Sequence, residues 1–229
     1  MWIGMVAVVL IATVIVIGLV LNKRQNASPV SDHPTSTNST SSVSNGVITV
    51  TAGSPTFTVD LYEDGLCADC QTFEDQYGQQ MMKYVDEGKL AIRYHFMSFL
   101  DANSASKNYS TRIAAAFECV AAAPATSRGL LMNFHTTMFR SGVQPARNGT
   151  ADLSNSQIAA LAVNAGAPAS AASCITAGTN IAQATTTAAA AVVTLSAAVP
   201  QGAYATPAVI ANGKLLNLNN IDWLSGLIP

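Results

Sequence analysis

Phe57-Thr-Val-Asp-Leu-Tyr-Glu-Asp-Gly-Leu-Cys67-Ala-Asp-Cys70-Gln-Thr-Phe-Glu-Asp-Gln-Tyr77 decides how this chain folds. Its first half, Phe57 to Tyr62, is rich in β-branched and aromatic residues and reads as a strand. After the cysteines, Phe73, Tyr77, Met81 and Val85 recur at helical spacing, so Cys67 to Glu87 reads as an amphipathic helix. Cys67 then stands where the helix begins, beside unpaired backbone N–H groups and the positive end of the helix dipole. A thiolate is stabilised there, and thiolate is the species that attacks a disulfide. Cys70 supplies a partner close enough to close a small ring. The same spacing also serves zinc ribbons, but Cys119 and Cys174 are too scattered to form a second ligand knuckle.

Outward from this stretch the pattern is α/β. Val47 to Val50 and Leu90 to Met97 read as further strands, and the latter completes a β-α-β unit with parallel strands. Gly78 lies inside the helix and marks a kink. From Ser106 the texture turns Ala-rich and helical, over 113–122, 130–139, 155–165 and 169–199, the last with a break near Gly178. Pro207 to Ala211 and Lys214 to Leu218 form a hairpin around Asn212-Gly213, a type I′ turn signal. Ile221 to Leu227 closes the chain as a short helix capped by Asn220.

The segment Leu61 to Asp75 resembles the active-site segment of DsbA-like thioredoxin-fold proteins. Tyr204-Ala-Thr-Pro-Ala-Val-Ile-Ala-Asn-Gly-Lys214 is similar to that family's cis-proline loop and hairpin. The nearest likeness is to the membrane-anchored DsbA-like proteins of actinobacteria, over residues 48–229. The resemblance implies a thioredoxin fold with a helical insertion at about 106–199, and thiol–disulfide exchange on other proteins. It implies Cys67 and Cys70 as the catalytic pair, and Thr206 and Pro207 as the loop on which a client segment pairs. It also supports a structural disulfide between Cys119 and Cys174; two buried free thiols are the other reading, since unpaired cysteine packs as a small hydrophobe.

Several residues depart from the family pattern. Ala68 stands where proline is usual, and Asp69 is an acid inside the dipeptide. Gly65 replaces a common aromatic, which suggests a more open approach to the thiol. The acid often found six residues before the nucleophile is replaced by Leu61. Glu63 and Asp64 are the nearest candidates for proton handling, with Asp69 for tuning of the thiol; Glu63 and Asp64 read somewhat more readily as solvated turn residues. His95 and His135 could assist proton transfer, although lone histidines in such settings are ordinarily structural. Met81, Met82, Met97, Met132 and Met138 read as core fillers.

Met1 to Leu21 is almost wholly apolar and without charge, long enough as a helix to span roughly 30 Å of hydrocarbon. An uncleaved single-pass anchor is expected, and a cleaved signal peptide is the competing reading. Residues 22–47 are low in apolar side chains and read as a disordered linker, with a reach of roughly 28 Å. Lys23 and Arg24 would favour a cytoplasmic domain by the positive-inside rule. Four cysteines argue for an oxidising, extracytoplasmic compartment, and they weigh more than two basic residues.

A net charge of −2 with dispersed Lys and Arg gives no signal of a polyanion-binding surface, so nucleic acid is not an expected partner. No metal or cofactor is required by the motifs. The expectation is an enzyme that oxidises cysteine-containing exported proteins at the cell membrane. The resemblance adds a redox partner of the vitamin-K-epoxide-reductase type. A disulfide reductase or isomerase of the same fold is the alternative, and a non-catalytic client-binding surface protein is a second.

Overall fold

The computed structural model describes residues 35–124, 128–199 and 204–228. The expected membrane helix over 1–21 and the first part of the expected linker lie outside the described residues. Residues from Thr35 onward make up one compact unit.

Its centre is a six-stranded sheet in the order β1-β2-β4-β3-β5-β6. The strands are β1 (Thr40–Ser44), β2 (Val47–Thr51), β3 (Phe57–Asp64), β4 (Leu90–Met97), β5 (Ala208–Ala211) and β6 (Lys214–Leu215). β3 and β4 run parallel, with Phe57 opposite Leu90 and Asp64 opposite Met97. β5 pairs antiparallel to β3, and β6 to β5 across a turn in which Asn212 and Gly213 both have positive φ, as a type I′ hairpin requires. The β-α-β crossover is α1 (Ala68–Phe73), a π-helical turn over Glu74–Gly78, and α2 (Gln79–Asp86). The kink read from Gly78 is thus a π turn within one continuous helix.

The helical insertion comprises α3 (Tyr109–Ala121), α4 (Leu130–Phe139), α5 (Asn155–Asn164), α6 (Ala169–Ala177) and α7 (Ile181–Ala198). Gly178 ends α6 in the left-handed region, which breaks the long Ala-rich run where expected. The closing helix α8 (Trp223–Leu227) begins after Asp222; the Asn220 side chain accepts from the Asp222 N–H but does not cap the helix itself.

Strand alternation divides the core. Val59, Leu61, Ile92 and Tyr94 belong to the main cluster, with Phe73, Met81 and Val85 of the crossover and Ile113, Phe117 and Phe134 of the insertion. Tyr62, Met97, Ala208 and Ile210 form a second cluster with Ala191 and Leu195 of α7. α7 is the one helix among the described residues that is long and apolar enough to cross a membrane by composition. Its apolarity comes from alanine, and it packs against β4 and α3 as a helix of the domain.

The expected linker is corrected at its C-terminal end. Residues 40–44 form β1, joined to β2 by Asn45-Gly46 with positive φ at both positions. Ahead of it, the Asp86 carboxylate accepts from Ser36 Oγ and from the main-chain N–H groups of Thr37, Asn38 and Ser39. Backbone pairing and a single buried-edge carboxylate order this segment, so its low apolar content does not leave it free.

Candidate active site

β3 ends at Asp64, and the chain turns through Gly65 and Leu66 to place Cys67 as the N-cap of α1. Cys67 has extended backbone geometry; its N–H donates to Asp64 O at 2.9 Å, and its sulfur accepts from Cys70 N–H at 3.3 Å. The loop before β5 comes to the same point. Thr206-Pro207 is a cis peptide, and Cys67 Sγ donates to Thr206 O at 3.2 Å. Cys67 is 7% exposed and Cys70 is wholly enclosed, both as free thiols. One sulfur thus faces the loop while the other lies behind it.

Electrostatics separate the two thiols. The Cys67 pKa falls to about 7, chiefly through its hydrogen bond with the Cys70 thiol and against the cost of burial. Thr206 and the N–H groups of Cys70 and Asp69 add to that fall. The helix terminus therefore acts as the sequence suggested, but behind the neighbouring thiol. Burial drives Cys70 well above the ordinary thiol value, and the Cys67 hydrogen bond and the Glu63 charge push the same way. Asp69 is exposed, so its carboxylate acts on Cys67 through water, whereas its backbone N–H acts directly.

The reading of Glu63 and Asp64 as solvated turn residues is corrected: both are 0% exposed. β3 runs two residues past its expected end, so period-two alternation from Val59 and Leu61 carries Glu63 into the core. Asp64 accepts from Leu66 N–H at 2.9 Å, from Leu100 N–H at 3.1 Å and from the Ser110 hydroxyl. It joins the active-site turn to the loop after β4 and to α3. Burial raises its pKa to about 6 against those three bonds. Glu63 is raised to about 7 by burial, which one histidine partner does not offset.

That partner is His135, which the sequence offered for proton transfer and which reads from sequence alone as structural. Its Nε2 lies 2.7 Å from Glu63 Oε2, and its Nδ1 lies 3.5 Å from Glu74 Oε2. His95 sits elsewhere: it bonds Asp60 at 2.7 Å and stacks on Tyr62. Sequence reasoning missed Gln144. Its side-chain amide donates to Gly65 O at 3.2 Å and to Cys67 O at 3.1 Å, holding the turn from the insertion side. Nor is the turn more open at Gly65. A Cβ there would stand 2.8 Å from Ile113 Cγ2, so glycine is what admits α3.

Cys119 and Cys174 are joined as a disulfide between α3 and α6, remote in sequence from the free pair. A strand, a helix with its N-cap thiol and a cis-proline loop meet at one point, and a thioredoxin family model matches residues 49–229. The chain belongs to the thioredoxin family, on its DsbA-like side. It is 30% identical to DsbA of Mycobacterium tuberculosis, with a TM-score of 0.62 over 84% of this chain and 95% of that one. The fold is also that of the MdbA protein of Corynebacterium matruchotii, a thiol–disulfide oxidoreductase, at a TM-score of 0.75 and 21% identity over 90% of this chain and 99% of that one. Among curated proteins it is 34% identical over 186 residues to the serine/threonine-protein kinase PknE of M. tuberculosis, covering 81% of this chain and 32% of the kinase. The chain thus spans about a third of the length of the curated relatives it matches. It is also 30% identical to DsbG of M. tuberculosis, a disulfide bond oxidoreductase, with a TM-score of 0.64 over 79% of this chain and 88% of that one, and Cys67 with Cys70 gives this chain the free dithiol such chemistry requires.

Proposed function

We propose that this protein is an extracytoplasmic disulfide oxidase, tethered to the bilayer by its apolar N-terminal segment, that introduces disulfide bonds into exported proteins through Cys67 and Cys70. The observation that carries this reading is the inequality of the two thiols: Cys67 is lowered and faces Thr206, while Cys70 is raised and enclosed. A stabilised Cys67 thiolate favours the reduced enzyme, which makes the disulfide form oxidising.

In the oxidising cycle a client thiolate attacks Cys67 of the Cys67–Cys70 disulfide. The S–S bond breaks, Cys70 leaves as a thiolate and takes up a proton, and client and Cys67 are joined. A second client thiolate attacks the client sulfur of that mixed disulfide, and Cys67 leaves as a thiolate. Two electrons pass from the client dithiol to the enzyme. A membrane protein of the vitamin-K-epoxide-reductase type would withdraw them. The client segment would pair with the Thr206-Pro207 loop as an added strand. A groove of about 470 Å³ beside that loop, lined by Val199, Pro207, Leu215, Leu216 and Leu218, would take its apolar side chains. The Cys119–Cys174 disulfide supports the extracytoplasmic location, because such bonds persist in oxidising compartments.

The buried Glu63 favours a second reading, a reductase or isomerase, since its charge works against thiolate at both sulfurs. Cys70→Ser should trap client proteins as mixed disulfides on Cys67, and the wild-type pair should equilibrate at a potential above that of a reducing thioredoxin, about −270 mV. A potential at or below that value would overturn the oxidase in favour of the reductase. Trapping of no client by Cys70→Ser would overturn both.

A further inference from the structure

Behind the dithiol lies a cluster of three ionisable groups drawn from three elements. Glu63 comes from β3. Glu74 stands one helical turn beyond Cys70, its N–H bonded to Cys70 O. His135 comes from α4 of the insertion, its ring packed among Tyr94, Phe117 and Phe139. The side chains of His135, Glu63 and Glu74 are 0%, 1% and 7% exposed. Glu63 Oε1, Glu74 Oε1 and His135 Nδ1 have no hydrogen-bond partner among the described residues. Buried polar atoms without partners are costly, so three in one cluster point to a use.

The cluster adjoins the enclosed sulfur. The Asp64 N–H, next in the chain after Glu63, points at Cys70, and the Glu63 charge is felt there. Gly78 completes the arrangement: a Cβ on it would stand 2.7 Å from Glu74 Oε2, so glycine leaves room for that carboxylate to turn toward His135. The three side chains lie near enough together to hold a metal ion. However, the two ring nitrogens address different carboxylates. A protonated imidazole faces both at once, hydrogen-bonded to Glu63 and within ion-pair distance of Glu74.

We infer that His135 and Glu74 are positioning residues of opposite sign for Glu63, and that together they set the pH at which Glu63 exchanges a proton with Cys70. The inference rests on the proposed exchange at Cys67 and Cys70, and it takes Glu63 as the proton acceptor of Cys70. When a mixed disulfide is resolved, the Cys70 thiol gives its proton to the Glu63 carboxylate through one bridging water and its sulfur attacks Cys67. The bond from Cys67 to the client breaks and the client leaves as a thiolate. In the oxidising direction the steps reverse, and Glu63 returns the proton as Cys70 leaves Cys67. With His135 protonated and both carboxylates ionised, the cluster carries one net negative charge. Burial opposes the charge on His135, but the two carboxylates outweigh it and raise its pKa to about 10, so the cation persists at neutral pH. Removing it leaves Glu63 buried beside a like charge, and Glu63 then keeps its proton to higher pH. Removing the Glu74 charge leaves Glu63 beside the cation alone, and it loses its proton at lower pH.

The test is single-turnover release of thionitrobenzoate from its mixed disulfide with Cys67 in the full chain, followed against pH. Wild type should show release rising through an inflection near pH 7, the value for Glu63. Glu74→Gln should move that inflection down by about one pH unit, and His135→Gln should move it up by at least as much. Gly78→Ala, which crowds Glu74 away from His135, should shift it the same way as Glu74→Gln. A merely structural cluster would lose rate without opposite shifts. If His135→Gln does not fold, the other two variants decide, and an unmoved or raised inflection in both overturns the inference. Glu63→Gln separates the two layers: loss of the inflection there, with no shift in the others, sinks only the roles of His135 and Glu74. An unchanged profile in Glu63→Gln sinks the proton acceptor as well.

Discussion

The domain holds two cysteine pairs, and they differ in everything but residue type. Cys67 and Cys70 are three residues apart at a strand-to-helix turn, facing a polar carbonyl on one side and a buried acid on the other. Cys119 and Cys174 are 55 residues apart, each in an Ala-rich helix of the insertion, and they are joined. Separation in sequence decides what each bond can do. Linking Cys119 to Cys174 constrains a long loop of the unfolded chain and so adds stability. Linking Cys67 to Cys70 constrains almost nothing, so that bond is free to open and close as chemistry. The surroundings then divide the sulfurs again: the reactive pair sits among backbone N–H groups and ionisable side chains, which shift its protonation.

The strongest way to break this comparison is to remove one member of each pair. Cys67→Ser should reduce thiol–disulfide exchange to the background rate, measured by insulin reduction or by oxidation of a dithiol peptide. Persistence of exchange would mean that another cysteine is the nucleophile. The joint variant Cys119→Ser, Cys174→Ser should lose about 4 kcal/mol of stability, the chain-entropy value for a loop of this length, in denaturant titration. The alkylation rate of its Cys67 should stay at the wild-type value. A large change in that rate would show that the insertion's disulfide governs the redox site and that the two pairs are not separate.

Much of this contrast is legible in the sequence, because it rests on local pattern. The strand, the Cys-x-x-Cys and the apolar stripe from Phe73 to Val85 are contiguous, and Asn212-Gly213 announces its hairpin. Asn45-Gly46 between Val43 and Val47 carries the same signal for β1 and β2, but the surrounding Ser and Thr mask it. The order of that segment comes from Asp86, 47 residues or more away, and from Gly129 and Asn133 of the insertion, and composition cannot show such partners. Burial of Glu63 was within reach, since extending the alternation of Val59 and Leu61 by one step points it inward. The approach of His135 was not. It depends on how the insertion packs over the sheet, and no periodicity in α4 distinguishes a histidine that meets two carboxylates from one that meets solvent. Gly65 failed for a related reason: only the position of Ile113 shows that its lack of a side chain serves packing.

A smaller effect sharpens the comparison through pH. Burial raises Glu63 from 4.5 to about 7, Asp64 from 3.8 to about 6 and Glu118, beside the disulfide, from 4.5 to about 6. Each of these folded groups binds protons more tightly than its unfolded counterpart, so their contribution is complete below the unfolded value and is lost as pH rises through the folded one. His135, raised from 6.5 to about 10, continues the loss to higher pH. Asp60 is shifted the other way: burial raises it, but its bonds to His95 and Arg93 bring it below 3.8, and its contribution is lost only on stronger acidification. In a Cys67→Ser variant, which removes the opposing thiolate, the melting temperature should therefore be highest near pH 4 to 5 and fall by several degrees toward pH 9. Glu63→Gln should flatten the part of this fall between pH 4.5 and 7. A melting temperature that rises across that interval would contradict the assignment of these groups as buried.

The smallest expected effect concerns Asp69, the acid inside the reactive dipeptide. Its side chain is exposed, so water weakens its repulsion of the Cys67 thiolate, while its N–H favours that thiolate. At roughly 7 Å and a dielectric between about 40 and 80, the side-chain repulsion corresponds to about 13–25 mV for a two-electron couple. The thiolate belongs to the reduced state, so removing the repulsion should make the disulfide easier to reduce. Asp69→His keeps the backbone donor and removes the charge; it should raise the reduction potential by about 13–25 mV and the oxidising power with it. Equilibration against glutathione at two ionic strengths measures this directly, and the difference should shrink in high salt because the carboxylate is screened. An unchanged or lowered potential would remove Asp69 from the redox site, leaving its tuning to Thr206, the helix N–H groups and the buried Glu63. The contrast between the two cysteine pairs would then rest on buried groups alone.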